Sequence, residues 1–94
     1  MTPLEQARKE IEEIDKEMAA LFERRMRDSK VIGEYKKQNN LPIKDASREE
    51  LLLTKNSAYI KNATFIPYYK EFQKNVMEIS CEYQEEIKKR GETE

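Results

Sequence analysis

The sequence predicts an all-α protein with three helices, long, short and long, that packs as a homodimer. Two long stretches have apolar residues at alternating spacings of three and four, and the short stretch between them begins with helix-capping residues. A first helix of about 37 residues would span about 55 Å, whereas a compact chain of this size has a radius of gyration of only ~12 Å. The remaining residues are too few to cover it. We therefore expect one domain over residues 1–94 that shares its apolar surface with a second copy.

The first helix is predicted from Thr2 to about Gln38. Thr2 can cap the free amides, Pro3 suits the first helical position, and Glu5 completes a capping box. A period near 3.5 then continues without Pro or Gly as far as Gly33. The apolar stripe consists of Leu4, Ala7, Ile11, Ile14, Met18 and Leu21.

Arg25 interrupts this stripe at a position where an aliphatic residue is expected. Ser29, Ile32 and Lys36 follow on the same face, because eleven steps of about 100° return to within about 20° of Arg25. Arg25 and Lys36 are then separated by about 16 Å of helical rise, so that their long side chains can close on a small anion. The alternative is that both cations are solvated or paired with Glu, as helical charges usually are.

Arg8 precedes Arg25 by seventeen residues, which turns it about 100° away and places it about 25 Å along the axis. It cannot serve the same site within its own helix. In an antiparallel dimer it would lie beside the Arg25 of the second copy; otherwise it is an ordinary surface arginine. Gly33 costs about 1 kcal/mol inside a helix, which indicates that a backbone or a ligand approaches closely there.

A loop and a short helix follow. Pro42 forces Leu41 out of helical geometry, and either Asp45 or Ser47 can cap the second helix. Ser47 with Glu50 would form another capping box. We expect this helix to continue to about Tyr59 or Lys61.

The third helix is predicted to follow a turn over residues 62–66, with Thr64 as its cap and Pro67 in its first turn, and to end at Gly91. Its period predicts a core stripe and, beside it, a more polar row that would normally be a solvated edge. The core stripe is Tyr69, Phe72, Val76, Ile79, Tyr83 and Ile87. The polar row is Gln73, Met77, Ser80 and Gln84.

The composition excludes several classes of function. The chain has no His and a lone Cys81, which argues against a zinc site, a disulfide framework and His-based catalysis. A net charge of -1 provides no field to attract nucleic acid or a membrane surface. No run of residues is apolar enough to span a membrane, and no signal-peptide pattern is present. We expect a cytoplasmic protein that binds a small polyanion without a metal or other cofactor.

The order of the charged and polar residues resembles that of the all-α chorismate mutases, over nearly the whole chain from Leu4 to about Gln84. The matching positions are Arg8, Glu23, Arg24, Arg25, Ile32, Gly33, Glu34, Tyr35, Lys36, Leu41, Pro42, Ile43, Lys44, Asp45, Arg48, Glu49, Ser80 and Gln84. The resemblance implies the chorismate mutase II fold in its stand-alone form, an intertwined dimer of three-helix chains. It also implies two active sites, each completed by an arginine of the other protomer.

The resemblance also implies roles for the cations and the amide. Arg8 would come from the partner, and Arg25 would hold a substrate carboxylate. Lys36 would contact a carboxylate and the ether oxygen of chorismate, and Gln84 would face that same oxygen.

Four further residues receive roles from the same resemblance. Asp45 and Glu49 would orient the ring hydroxyl, Arg48 would support them, and Ser80 would contact a carboxylate. The apolar walls would be Ile32, Leu52, Met77 and Cys81.

The reaction implied is the rearrangement of chorismate to prephenate in phenylalanine and tyrosine biosynthesis. It is unimolecular, so that it requires no nucleophile, metal or proton shuttle, in keeping with a chain without His. Two alternatives remain. A related enzyme of this fold removes pyruvate from isochorismate, but lacks the pair formed here by Arg48 and Glu49. A non-catalytic helical dimerisation or regulatory module would not need the polar site residues.

Overall fold

The computed structural model describes residues 1–92, in which three α-helices and one 3-10 turn are present and no strand occurs. Helix α1 spans Pro3–Gln38, α2 spans Ala46–Ser57, a 3-10 turn spans Ala63–Phe65, and α3 spans Ile66–Glu92. The prediction of a long, a short and a long helix is confirmed. No helix in this part of the chain is long and apolar enough to cross a membrane.

The two ends of α1 are fixed by local hydrogen bonds. The hydroxyl of Thr2 accepts a bond from the Glu5 amide at 3.2 Å, as the capping box predicts. The Glu5 carboxylate accepts a bond from the same hydroxyl at 3.0 Å, whereas a capping box predicts one from the Thr2 backbone amide. At the other end Asn40 adopts a left-handed conformation with a φ of 54°. The amide of Leu41 then bonds the carbonyl of Lys36 at 2.8 Å, which closes a Schellman motif and turns the chain toward α2.

The bounds of α2 are narrower than expected. Asp45 is the cap, because its carboxylate accepts a bond from the Arg48 amide at 3.1 Å, and Ser47 lies inside the helix. The helix ends at Ser57, before Tyr59, because the next amides bond three residues back rather than four and tighten the chain into a turn.

The start and end of α3 also differ from expectation by a few residues. Asn62, not Thr64, caps the 3-10 turn that leads into the helix, and its side chain accepts a bond from the Thr64 amide at 3.0 Å. Pro67 lies in the first turn of α3, where its missing amide proton costs nothing. The helix passes Gly91 and reaches Glu92.

Helix α3 packs against both other helices and runs parallel to α1. Ser29 contacts Ser80, and four residues later Gly33 contacts Gln84, so that both helices advance in the same direction. Glu49 of α2 lies near Cys81. The chain is elongated, because α1 alone is about 54 Å long. It measures 56 × 27 × 14 Å and has a radius of gyration of 16.9 Å.

The prediction for the core of α3 is wrong in part. Ile87 is buried, but Phe72 is 47% exposed and Ile79 is 42% exposed, whereas the neighbouring polar row is buried throughout. That buried row is Gln73, Met77, Ser80 and Gln84. Small residues of α1, Ser29 and Gly33, allow α3 to approach with its polar row, and Ser80 of that row hydrogen-bonds Ser29. Phe72 and Ile79 of the apolar stripe are turned toward a side that this chain does not cover.

Candidate active site

A cavity of about 250 Å³ lies between α1, the loop after it, α2 and α3. Its volume is slightly below the range of about 300–1,000 Å³ that is typical of ligand pockets, which suits a small metabolite. Seven of the eight predicted site residues line it: Arg25, Lys36, Asp45, Arg48, Glu49, Ser80 and Gln84. The four residues expected as apolar walls, Ile32, Leu52, Met77 and Cys81, line it as well.

Helix α1 contributes two cations to the cavity. Arg25 and Lys36 are both half-buried and both line it, which agrees with their spacing of eleven residues. Because the described residues include no carboxylate within salt-bridge distance of Arg25 or Lys36, their charges are available to an anion in the cavity.

The ammonium of Lys36 is held by the loop that the Schellman motif initiates. Its Nζ donates to the carbonyl oxygen of Ile43 at 2.7 Å, and Ile43 itself is buried. A lysine ammonium has three donors, so that two N–H bonds remain for a ligand. The loop therefore fixes the position of the cation without neutralising it.

Helix α2 presents its N-terminal turn to the cavity. One oxygen of the Asp45 carboxylate caps the helix, and Arg48 and Glu49 follow in the first turn. Glu49 lies 3.8 Å from the ammonium of Lys44 and about one sulfur hydrogen-bond length, 4.0 Å, from the thiol of Cys81. These neighbours position the Glu49 carboxylate at the edge between α2 and α3.

Burial raises the pKa of the Cys81 thiol above its usual value, and the negative charge of Glu49 raises it further. The ammonium groups of Lys44 and Lys36 oppose this effect only in part. Cys81 is thus a neutral, weakly polar wall of the cavity at neutral pH, and not an activated thiolate.

Helix α3 contributes a pair of buried polar side chains. The Nε2 atom of Gln84 donates to the hydroxyl of Ser80 at 3.2 Å, and Ser80 in turn hydrogen-bonds Ser29 of α1. The Oε1 atom of Gln84 is buried and has no hydrogen-bond partner in the described part of the chain. A buried amide with one unmade bond is costly in a purely structural role.

Gly33 allows this arrangement. A Cβ atom added at Gly33 would lie 3.2 Å from Cγ and 3.3 Å from Cα of Gln84, and 3.3 Å from Cδ1 of Ile87. These distances are tighter than ordinary van der Waals contacts, and one of the atoms belongs to the backbone. The predicted close approach at Gly33 is confirmed, and it is the approach of α3.

Three lining residues, Asp28, Ser29 and Ile43, were predicted neither as site residues nor as apolar walls. Ser29 shares the face of Arg25 and is 3% exposed, and its position four residues from both Arg25 and Gly33 was the available signal. Asp28 also lines the cavity, although its carboxylate would repel an anionic ligand. The period of the α1 stripe, continued past Leu21 and Arg25, predicts Asp28 as its next member, although no role was assigned to it.

Arg8 is the one predicted site residue that the chain does not bring to the cavity. It is exposed and lies on α1 about 25 Å from the level of Arg25. The cavity of a single chain accordingly has a balanced set of charges. The cations are Arg25, Lys36 and Arg48, and the carboxylates are Asp28, Asp45 and Glu49.

Comparison with known protein families identifies the family of this chain. The family model described as chorismate mutase type II matches residues 7–85 of this chain. The matched span includes all of the residues that line the cavity, and Arg8 in addition. Neither a curated protein nor a solved structure matches the chain.

Proposed function

The chain belongs to the chorismate mutase type II family, and we propose that it is a chorismate mutase, which converts chorismate to prephenate for phenylalanine and tyrosine synthesis. One observation supports this proposal above the others. Arg25 and Lys36 of α1 and Gln84 of α3 line one small cavity, whose walls also include apolar side chains from all three helices.

The proposed reaction is an intramolecular rearrangement. The ether C–O bond of chorismate breaks while a C–C bond forms between the ends of the same molecule, and no atom enters or leaves. Two contributions lower the barrier: the flexible dianion must be held in a compact conformer, and the negative charge that grows on the ether oxygen must be stabilised. Both are tasks for fixed hydrogen-bond donors, so the side chains of the cavity suffice.

The donors of the cavity suit these tasks. Arg25 would hold one carboxylate, because a guanidinium binds a carboxylate through two parallel hydrogen bonds. Lys36 has two N–H bonds left beside its bond to Ile43, and would contact a carboxylate and the ether oxygen. Gln84 would donate to the ether oxygen from the opposite helix.

The remaining residues would bind the rest of the substrate. Asp45 and Glu49, at the start of α2, would orient the ring hydroxyl, because a carboxylate accepts hydrogen bonds from it. Arg48 would support these two carboxylates, and Ser80 would contact a substrate carboxylate.

The charge balance of the cavity supports a contribution from a second chain. Three cations and three carboxylates leave no net positive charge for a dianion. Arg8 of the partner subunit would supply the missing charge if two α1 helices pack antiparallel, since the N-terminal half of one helix then lies beside the middle of the other.

An intertwined homodimer would also cover the apolar surface that one chain leaves exposed. The stripe of α1 and part of the stripe of α3 are between 42% and 58% exposed in the single chain. The exposed members are Leu4, Ile11, Ile14, Met18, Leu21, Phe72 and Ile79. Full burial of an exposed side chain of this kind contributes roughly 1.5–3 kcal/mol, and covering these half-exposed side chains would contribute part of that. Among the described residues only Ile43, Met77 and Ile87 are buried hydrophobic residues, so this contribution is needed.

Two measurements test the proposal. Chorismate and isochorismate are supplied separately to the purified protein, and the products are identified by chromatography. We expect prephenate from chorismate and no pyruvate from isochorismate. Pyruvate as the main product would assign the lyase reaction instead, and no turnover of either substrate would indicate a non-catalytic module.

Sedimentation equilibrium tests the dimer independently of activity. We expect the mass of two chains, and an active folded monomer would contradict the role of Arg8.

A further inference from the structure

We propose that Ser29, which has no role in the resemblance described above, is a positioning residue for the reaction and acts on Gln84 through Ser80. This inference rests on the proposed function for its kinetic test. Its structural basis is independent of the proposed function. That basis is a series of hydrogen bonds that leads from Ser29 of α1 through Ser80 to the amide of Gln84.

Ser29 occupies a place where a hydroxyl is unexpected. It lies on the face of α1 between Arg25 and Gly33, is 3% exposed, and is the most buried polar residue in the described part of the chain. Buried helix positions that face another helix are usually filled by apolar residues or alanine. A serine at such a position needs a partner, and here the partner is the hydroxyl of Ser80.

The hydrogen bonds from Ser29 to Gln84 form an uninterrupted series. The Ser80 hydroxyl bonds Ser29 on one side and accepts from Nε2 of Gln84 at 3.2 Å on the other. Because each hydroxyl can both donate and accept, this series of hydrogen bonds is continuous whichever serine is the donor in the Ser29–Ser80 bond. Ser29 therefore fixes the rotamer of Ser80, and Ser80 fixes the amide of Gln84.

The orientation of the Gln84 amide matters because its Nε2 group donates hydrogen bonds and its Oε1 atom accepts them. Gln84 stabilises the growing charge on the ether oxygen only if an N–H bond, and not Oε1, is directed at that oxygen. Nε2 has a second proton beyond the one given to Ser80, and Gln84 lines the cavity. Without Ser29, the Ser80 hydroxyl can turn to a carbonyl of its own helix, and the amide loses its anchor.

The kinetic test compares Ser29→Ala with the wild-type protein. We expect kcat to fall about tenfold, the factor that loss of one hydrogen bond typically gives. KM should change less than about twofold, because the cations that bind the carboxylates are untouched. In the Ser80→Ala background the link is already cut, so that Ser29→Ala should lower kcat no further.

Ser57→Ala is the matched control. Ser57 is also a buried serine, but its hydroxyl bonds the carbonyl of Leu53 within α2 at 2.6 Å and it does not line the cavity. We expect it to lower the urea midpoint without changing kcat. A general loss of stability would affect both serines alike, whereas a positioning role moves kcat only for Ser29.

A second readout does not depend on activity. The side-chain ¹⁵N–¹H pair of Gln84, assigned by its loss in Gln84→Leu, should shift in Ser29→Ala and stay in place in Ser57→Ala. If wild-type protein turns over no chorismate, the proposed function fails and this spectrum alone decides the role of Ser29. A kcat for Ser29→Ala within twofold of wild type, an equal loss in the Ser80→Ala background, or an unmoved Gln84 signal would overturn the inference.

Discussion

The two halves of α1 follow the same sequence period but have different surroundings. From Arg25 to Lys36 the helix packs on α3, and Ser29 and Gly33 are buried although neither is apolar. Before Arg25 the helix has a regular aliphatic stripe, and Ile14 and Met18 remain 45% and 43% exposed. Within one chain, the polar half is thus covered and the apolar half is not.

This contrast indicates what each half is for. The covered half collects hydrogen-bonding side chains from two helices around a cavity, where exact placement is more valuable than apolar burial. The uncovered half has a surface whose exposure is unfavourable in water and which a second α1 would match. We call the covered residues from Arg25 to Lys36 the site half of α1, and the uncovered residues before Arg25 the dimer half. Four experiments test this division.

Lys36→Ala tests the site half and should have the largest effect. Removal of a donor that stabilises transition-state charge should lower kcat by about a thousandfold. The initial rate is measured from the loss of chorismate absorbance, and circular dichroism checks that the helix content is unchanged. Lys37→Ala, at the exposed neighbouring position, is the control and should retain full activity. A loss of less than tenfold for Lys36→Ala would mean that its role is misassigned.

Mixing of two inactive variants tests whether Arg8 of one chain and Arg25 of the other lie in the same site. Arg8→Ala and Arg25→Ala should each lower kcat/KM by about a hundredfold, since each removes a cation from a site for a dianion. In a mixed dimer one of the two sites has both arginines, so that unfolding and refolding the variants together should restore about a quarter of wild-type activity in a two-fold symmetric assembly. Lys9→Ala serves as the control beside Arg8. No recovery would show that Arg8 does not act across the interface.

Gly33→Ala tests how closely the covered half is packed. Alanine favours the helix by about 1 kcal/mol, but its Cβ would lie 3.3 Å from the Cα of Gln84, which belongs to a helix backbone and cannot move alone. Overpacking of this kind costs about 1–3 kcal/mol, so that we expect a small net loss of stability and a lower kcat as Gln84 shifts.

Urea unfolding and kcat are measured together for this variant. Lys30→Ala, on the exposed side of α1, is the control, because it gains helix propensity without a contact of this kind and should stabilise slightly. A more stable and fully active Gly33→Ala would show that the two helices are not closely fitted at this point.

The pH dependence should show the smallest effect. Gln84 does not titrate, and burial and Glu49 raise the pKa of the Cys81 thiol, so that the thiol stays protonated in neutral solution. We expect kcat to be flat between pH 5 and pH 8. Because the folded chain holds the Cys81 proton more tightly than the unfolded chain, stability from this group is lost only as the pH rises above the ordinary thiol value of 9.0. A steep loss of rate between pH 5 and pH 8 would contradict a site that works without proton transfer.

Much of the fold could be predicted from short-range patterns. The capping box of Thr2 and Glu5 and the period of the stripe placed α1 within one residue at its start. The predicted end of α2 was too late by a few residues. At a helix end, the backbone amide can bond the carbonyl four or three residues back, and which of the two it bonds depends on how the chain turns toward α3. Candidate site residues on α1 followed from the spacing of eleven, which a rigid helix preserves.

The sequence by itself determined which residues form helices and which of them share a face, because both depend on the geometry of one helix and its capping groups. Only the tertiary structure decided which face of α3 meets α1. The apolar stripe with Phe72 and the polar row with Ser80 differ by a rotation of about 80° about the axis of α3, and both are compatible with the same period. The choice depends on side-chain volumes and hydrogen-bond partners of the facing helix, here Ser29 and Gly33, which no pattern within α3 contains.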